Sequence, residues 1–133
     1  MKEFLKYFNI NEDRVYLKLA LLFFVIWLLF KGVIRNVVET ESVAVNTFLG
    51  FAPNLFAGVT LVLWQIYVTS SKPLLTWVCV NVVLFCAEFI QLFIPTQTAD
   101  VLDLCASVFG SSVAVIVVIL REKRKSTKDQ NWS

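Results

Sequence analysis

Apolar residues in this chain run in long blocks, and polar residues fall between the blocks instead of alternating within them. Four blocks stand out, at 15–33, 42–68, 73–94 and 99–120. A helix rising about 1.5 Å per residue needs about 20 residues to cross a hydrocarbon core of about 30 Å, so each block is long enough to span a bilayer. Val, Ile and Thr are frequent in them. The runs are nevertheless too long and unbroken for strands, and lipid tolerates no open sheet edge. The pattern therefore predicts four transmembrane helices. Gly50, Pro53 and Gly58 interrupt the second, which predicts a bend near Pro53. Pro73 and Pro95 bracket the third. The links at 36–41, 69–72 and 95–98 are short, so successive helices are antiparallel neighbours. The expected fold is all-α: one membrane domain over 1–133, an up-down four-helix transmembrane bundle, with a polar tail from 121 to 133.

Composition agrees with the pattern. Hydrophobic residues make up 58% of the 133 residues and charged residues 17%, against roughly 45–50% and about 25% in soluble domains. A soluble fold this short has no interior large enough for so much apolar surface. The net charge is small, but its distribution is informative. Arg121, Lys123, Arg124, Lys125 and Lys128 all follow the fourth block. Basic residues mark the cytoplasmic side. The C-terminus is therefore expected in the cytoplasm, and four spans return the N-terminus, with Lys2, Lys6, Arg14 and Lys18, to the same side. Lys72 in the middle link agrees with this orientation, whereas Lys31 and Arg35 in the first outer link run against it. The stems of Lys18 and Lys31 can snorkel at the ends of the first span. The first apolar block follows Glu12, Asp13 and Arg14 without a small-x-small cleavage site, which is not the pattern of a signal peptide. Just past a span, the REKRK run reads as a topology signal and an anchor to anionic lipid; nucleic-acid binding is not expected.

Cys79, Cys86 and Cys105 lie within apolar runs, form no CxxC pair, and have no His to join them. They are expected to be small buried helix residues, with no metal site and no cofactor. The aromatics read as lipid-facing and packing residues.

The candidate chemistry is concentrated in the stretch from Ala87 to Ser111. Glu88, Asp100 and Asp103, with Gln91 and Gln97, interrupt a region otherwise apolar enough for lipid. Acids inside a membrane are costly and point to a function. In the predicted topology Glu88 lies seven residues before Pro95, about 10 Å from the outer end of the third helix. Asp100 and Asp103 open the fourth helix, and Asn46 and Asn54 lie in the outer half of the second. Apart from Asn81 and the helix-end lysines, the strongly polar groups gather toward the outer face, as a polar cleft would. Glu88 and Gln91 are spaced i, i+3. Asp100, Asp103, Ser107 and Gly110 step along one helical stripe, which continues in the small residue Ser111. Such small residues let a neighbouring helix come close. The third and fourth helices are consecutive, so their polar stripes are expected to face each other. Thr98 or Asp100 could also serve as the cap of the fourth helix, Arg35 is a possible partner for an acid, and Asn46 and Asn54 could serve as interhelical hydrogen-bonding residues.

The order Glu88, Gln91, Phe93, Pro95, then Asp100, Asp103, Ser107 and Gly110, reads E-x-x-Q-x-F-x-P, a short polar link and D-x-x-D-x-x-x-S-x-x-G. It resembles the signature of the VanZ-like membrane proteins, named for a teicoplanin-resistance accessory protein. Upstream, LGFAPNLFAG around Pro53 resembles the family's first motif. The similarity covers roughly residues 46–113. Gln97 stands where the family often has Arg, and Ser107 where Asn is common. The resemblance implies a small protein of the bacterial inner membrane, acting at the cell envelope.

The functional expectation is a non-enzymatic envelope protein without catalytic residues. Its outer cleft, with Glu88, Gln91, Asp100, Asp103, Ser107 and Asn54, would bind an amphiphilic, lipid-linked or cationic ligand, or a partner protein; Pro53, Pro95 and Gly110 would shape it. The alternatives are a carboxylate-dependent hydrolase or transferase acting on a lipid-linked substrate, a proton- or cation-coupled transporter that would need to oligomerise, or a small subunit of a membrane complex. Partners beyond the bilayer would be a second copy or another membrane protein.

Overall fold

Asp13 starts the first helix: its carboxylate accepts the Val15 N–H at 3.1 Å, supplying a partner for a backbone donor that the helix itself leaves free. The computed structural model describes residues 13–34, 37, 41–91, 93 and 101–130. Helix α1 spans Arg14–Leu29 and continues as a π-helical segment, Phe30–Ile34. Helix α2 spans Val43–Thr69, α3 Pro73–Gln91 and α4 Val101–Gln130. The described residues are all helix and connecting segment, and four helices are long and apolar enough to cross a membrane. These are the features of a multi-pass membrane protein.

The boundaries follow local chemistry. Pro73 opens α3, where its missing N–H costs nothing. The helix ends at Gln91, and the Phe93 N–H turns back to the Ile90 carbonyl at 3.0 Å. Ser70, at a left-handed φ of 48°, closes α2 while its N–H still bonds the Ile66 carbonyl. Helix α2 runs unbroken through Pro53, which withdraws the hydrogen bond otherwise made to the Leu49 carbonyl. The fourth helix does not stop where its apolar run stops. It continues through the basic segment to Gln130, because Arg, Lys and Glu are good helix formers and cations suit a helix C-terminus.

Helix α2 is the hub. It packs most extensively on α4, then on α1, and also touches α3, which itself lies along α4. The order differs from a square up-down bundle, in which the first and fourth helices pair along their length. One core cluster joins Tyr16 and Ala20 of α1, Val59, Val62, Leu63 and Ile66 of α2, Val80 of α3, and Ala114, Val115 and Val118 of α4. It places the start of α1, the end of α2, the start of α3 and the end of the apolar part of α4 at one end of the molecule, called here the basic end.

The α2–α4 contact is made backbone to backbone. A Cβ on Gly58 would lie 2.5 Å from the Ser107 carbonyl oxygen, and one on Gly110 would overlap that of Leu55. Only glycine permits this approach. The α1–α2 contact is aromatic instead, with Phe56 between Phe23 and Phe30 at ring-centroid distances of 6.2 and 5.2 Å. Large apolar side chains such as Leu22, Phe85, Phe109 and Ile116 are exposed, while the interior is built largely from small and β-branched residues. That arrangement suits an apolar solvent. Cys79, Cys86 and Cys105 belong to the outside: all three are exposed, contrary to the expectation that they are buried. Their positions fall on faces shared with exposed residues such as Val82, Val83, Leu102 and Phe109, away from the close helix contacts.

At the basic end Asp13 joins the two ends of the fold. Arg121 donates from Nε to its Oδ2 at 3.0 Å, and Lys125, one helical turn on, bonds the same oxygen. The Arg121 guanidinium also lies over the Tyr16 ring, 5.9 Å from its centroid. Partial burial raises the Asp13 carboxyl, but hydrogen bonds from Lys125, Arg121 and the Val15 N–H outweigh it and hold the group down at about 2.

Two outcomes are expected. Gly110→Ala lowers the melting temperature in detergent, in keeping with about 1–3 kcal/mol for overpacking. Gly50→Ala, with nothing within 4 Å of the added Cβ, leaves it unchanged or raises it slightly. Equal melting temperatures for the two variants would refute the close approach. The Asp13 carboxyl, lowered on folding, contributes stability that is complete above its ordinary value of 3.8 and lost as pH falls through about 2. The advantage of the wild type over Asp13→Asn therefore narrows across that window in thermal denaturation. An advantage undiminished by acid would show that it does not arise from the ion pairs.

Candidate functional site

Helix α3 carries Trp77, Asn81, Leu84, Glu88 and Gln91 at steps of four, three, four and three, which places all five on one face. Helix α4 meets the first half of this face with hydroxyls. Trp77 donates from Nε1 to the Ser112 hydroxyl at 3.0 Å. Asn81 donates from Nδ2 to the Ser111 hydroxyl at 3.0 Å and to the Trp77 carbonyl at 2.8 Å. The fully buried Ser111 hydroxyl lies within reach of two acceptors, Asn81 Oδ1 at 3.1 Å and the Val108 carbonyl at 2.9 Å. A polar ladder thus fastens α3 to α4 across apolar surroundings.

Glu88 lies seven residues further along the same face. It is half-buried, and its Oε2 is shielded from solvent. Gln91, half-buried, is the last residue of the helix. Asp103 is half-buried in the first turn of α4. The Asp103 carbonyl accepts from the buried Ser107 hydroxyl at 3.0 Å, and the Asn54 carbonyl of α2 lies 3.5 Å from the same hydroxyl.

These contacts redistribute the predicted stripe. Asp103, Ser107 and Gly110 share the face of α4 that turns to α2, not the one that turns to α3. Gly110 abuts Leu55, and Ser107 abuts Gly58. Helices α2 and α4 are parallel, since Asn54 pairs with Ser107 and Gly58 sits against Ser111, each four residues on. Continued back by one turn, this register brings Asp103 level with Gly50, where a Cβ would meet nothing within 4 Å. The acids of α3 and α4 therefore approach the same end of the molecule on two sides of α4.

Asn54 is half-buried beside Pro53, which is buried, and the structure brings its carbonyl to Ser107. Asn46 is exposed. Asp100, Pro95, Gln97, Thr98 and Arg35 lie outside the described residues, so the mouth of the expected cleft does too. Sequence reasoning passed over Trp77, Asn81, Ser111 and Ser112 as a set. The signal was available in the spacing, since Asn81 precedes Glu88 by two helical turns and Ser111 continues the small-residue stripe.

Neither a scan against protein-family models nor searches of curated proteins and of solved structures returned a match.

The ladder yields a direct expectation. Interhelical hydrogen bonds in membranes contribute about 0.6 kcal/mol on average and up to about 1.7. Asn81→Leu and Ser111→Ala should each destabilise the protein in mixed-detergent unfolding, and the double variant should cost less than the two single costs together. Strict additivity would show that the pair is not coupled.

Proposed function

We propose that this chain is a small, non-enzymatic membrane protein of the bacterial cell envelope, VanZ-like in kind, which binds a cationic or amphiphilic ligand at the end opposite its basic end. In this reading the basic end faces the cytoplasm, both termini lie on that side, and the acidic end opens outward across the inner membrane. Glu88 supplies the negative potential, Asp103 adds to it from the first turn of α4, Gln91 and Asn54 orient what binds, and the buried Ser107 supports the Asp103 turn from behind. Asp100 would complete the set.

The observation that carries the reading is the place of Glu88. It continues a face whose first half is already used for hydrogen bonds to α4, and one of its carboxylate oxygens is shielded from solvent. Asn81 and Ser111 already fasten α3 to α4, and Glu88 adds a charge to the same apolar face two turns nearer the end of the span, where an acid is costly and points to a function. The resemblance of Glu88, Gln91, Phe93, Asp103, Ser107 and Gly110 to the VanZ-like signature supports the same residues.

Binding of dodecyltrimethylammonium to the purified protein in phosphatidylcholine nanodiscs tests the proposal. The wild type should show saturable binding, and Glu88→Gln and Asp103→Asn should each weaken it by about tenfold, the loss of roughly 1.4 kcal/mol of charge attraction. Helical content should be unchanged by circular dichroism. Identical binding by all three proteins would overturn the reading.

A further inference from the structure

Because α1 and α4 both lie on α2 without pairing along their length, a groove remains between them at the basic end. It has a volume of about 530 Å³ and is lined by Leu19, Val117, Leu120, Arg121, Arg124 and Lys125. That volume lies within the range of small-ligand sites, roughly 300–1,000 Å³. Its floor is aliphatic, and its rim carries three cations. Asp13 already holds Arg121 and Lys125 in place, each with donors to spare and each partly exposed. Arg124 carries no ion pair among the described residues. Among the described residues that line the groove or pair with its rim, three cations face one carboxylate, which leaves the rim positive.

We infer that this groove is a binding site for one anionic glycerophospholipid, with an acyl chain along Leu19, Val117 and Leu120 and the phosphate at Arg124, Arg121 and Lys125. Charge complementarity selects the headgroup. Arg offers a planar pair of donors that fits phosphate oxygens, and the two side chains fixed by Asp13 are oriented before the lipid arrives. The aliphatic floor selects a lipid over a free anion, since free phosphate would leave that surface uncovered. The α4 helix makes the site possible by continuing past the apolar run: had the chain unwound at Arg121, the three cations would not share one rim. This is a localised site, distinct from a general attraction of basic residues to a charged surface.

Native mass spectrometry of the full chain in detergent, titrated with dioleoylphosphatidylglycerol or dioleoylphosphatidylcholine, tests the inference. One phosphatidylglycerol should be retained in preference to phosphatidylcholine. Arg124→Gln should lower its affinity by about fivefold, the worth of one basic residue at a lipid surface. Lys123→Gln, which removes the same charge one residue away and outside the groove, should leave it nearly unchanged. Leu120→Trp, which fills the floor without altering charge, should lower retention of phosphatidylglycerol, and inorganic phosphate should not displace the lipid. Equal losses for the Arg124 and Lys123 variants would overturn the site in favour of diffuse attraction. So would equal retention of the two lipids, an unaltered affinity in Leu120→Trp, or displacement by phosphate.

Discussion

Two glycines without side chains determine how the rest of the molecule is arranged. Gly58 and Gly110 let the backbones of α2 and α4 meet, with carbonyl oxygens where a Cβ would otherwise be. In lipid, helices gain little from hiding apolar surface against one another, so association depends on close packing and hydrogen bonds. The parallel α2–α4 pair supplies the packing. Once it is fixed, α1 lies along α2, and α3 takes the side of α4 that presents Ser111 and Ser112. The groove between α1 and α4 is the space that this arrangement leaves open.

Each contact is made by a different chemistry. Backbone meets backbone between α2 and α4, aromatic rings interleave between α1 and α2, and hydroxyl, amide and indole groups bond between α3 and α4. The division limits mispairing. A ring-rich face cannot approach as closely as Gly110 approaches Leu55, and a hydroxyl ladder gains nothing against Phe23 or Phe30. Size sorting reinforces the distinction: alanine, serine, glycine and valine dominate the interior, and the bulky side chains are turned outward.

The helices were readable from the sequence because apolar length alone demands them. The middle link was readable because polar residues and Pro73 separate two spans there. The stripe of Ser107, Gly110 and Ser111 was also visible as a surface for close approach. Its partner was not, because adjacency along the chain favours α3, whereas Gly58 and Leu55 of α2 lie against Ser107 and Gly110 and only the Ser111 hydroxyl reaches α3. The end of α4 was hidden for a different reason. Hydropathy marks where a chain leaves apolar surroundings, not where its helix unwinds, and Arg121 to Lys125 are as good at the second as they are poor at the first. The three cysteines illustrate a further limit: an apolar run says that a residue is in a span but not which way it points. Glu88 and Asp103 were recognisable as candidates from charge in an apolar context. That they flank α4 on two sides depends on helical register, and register was settled only by the packing of Asn54 and Gly58.

Asp13 has a consequence for how the protein is made. Its hydrogen-bonding partner Arg121 lies 108 positions further along the chain. The cap of α1 is local, from Asp13 to the neighbouring Val15 N–H, but Arg121 and Lys125 are synthesised only after all four spans. The ion pairs of Asp13 with Arg121 and Lys125 therefore form only once the last helix has arrived beside the first. The ion pairs act as a completion mark: they distinguish a finished bundle from any shorter nascent chain, whatever packing the first three helices have already achieved.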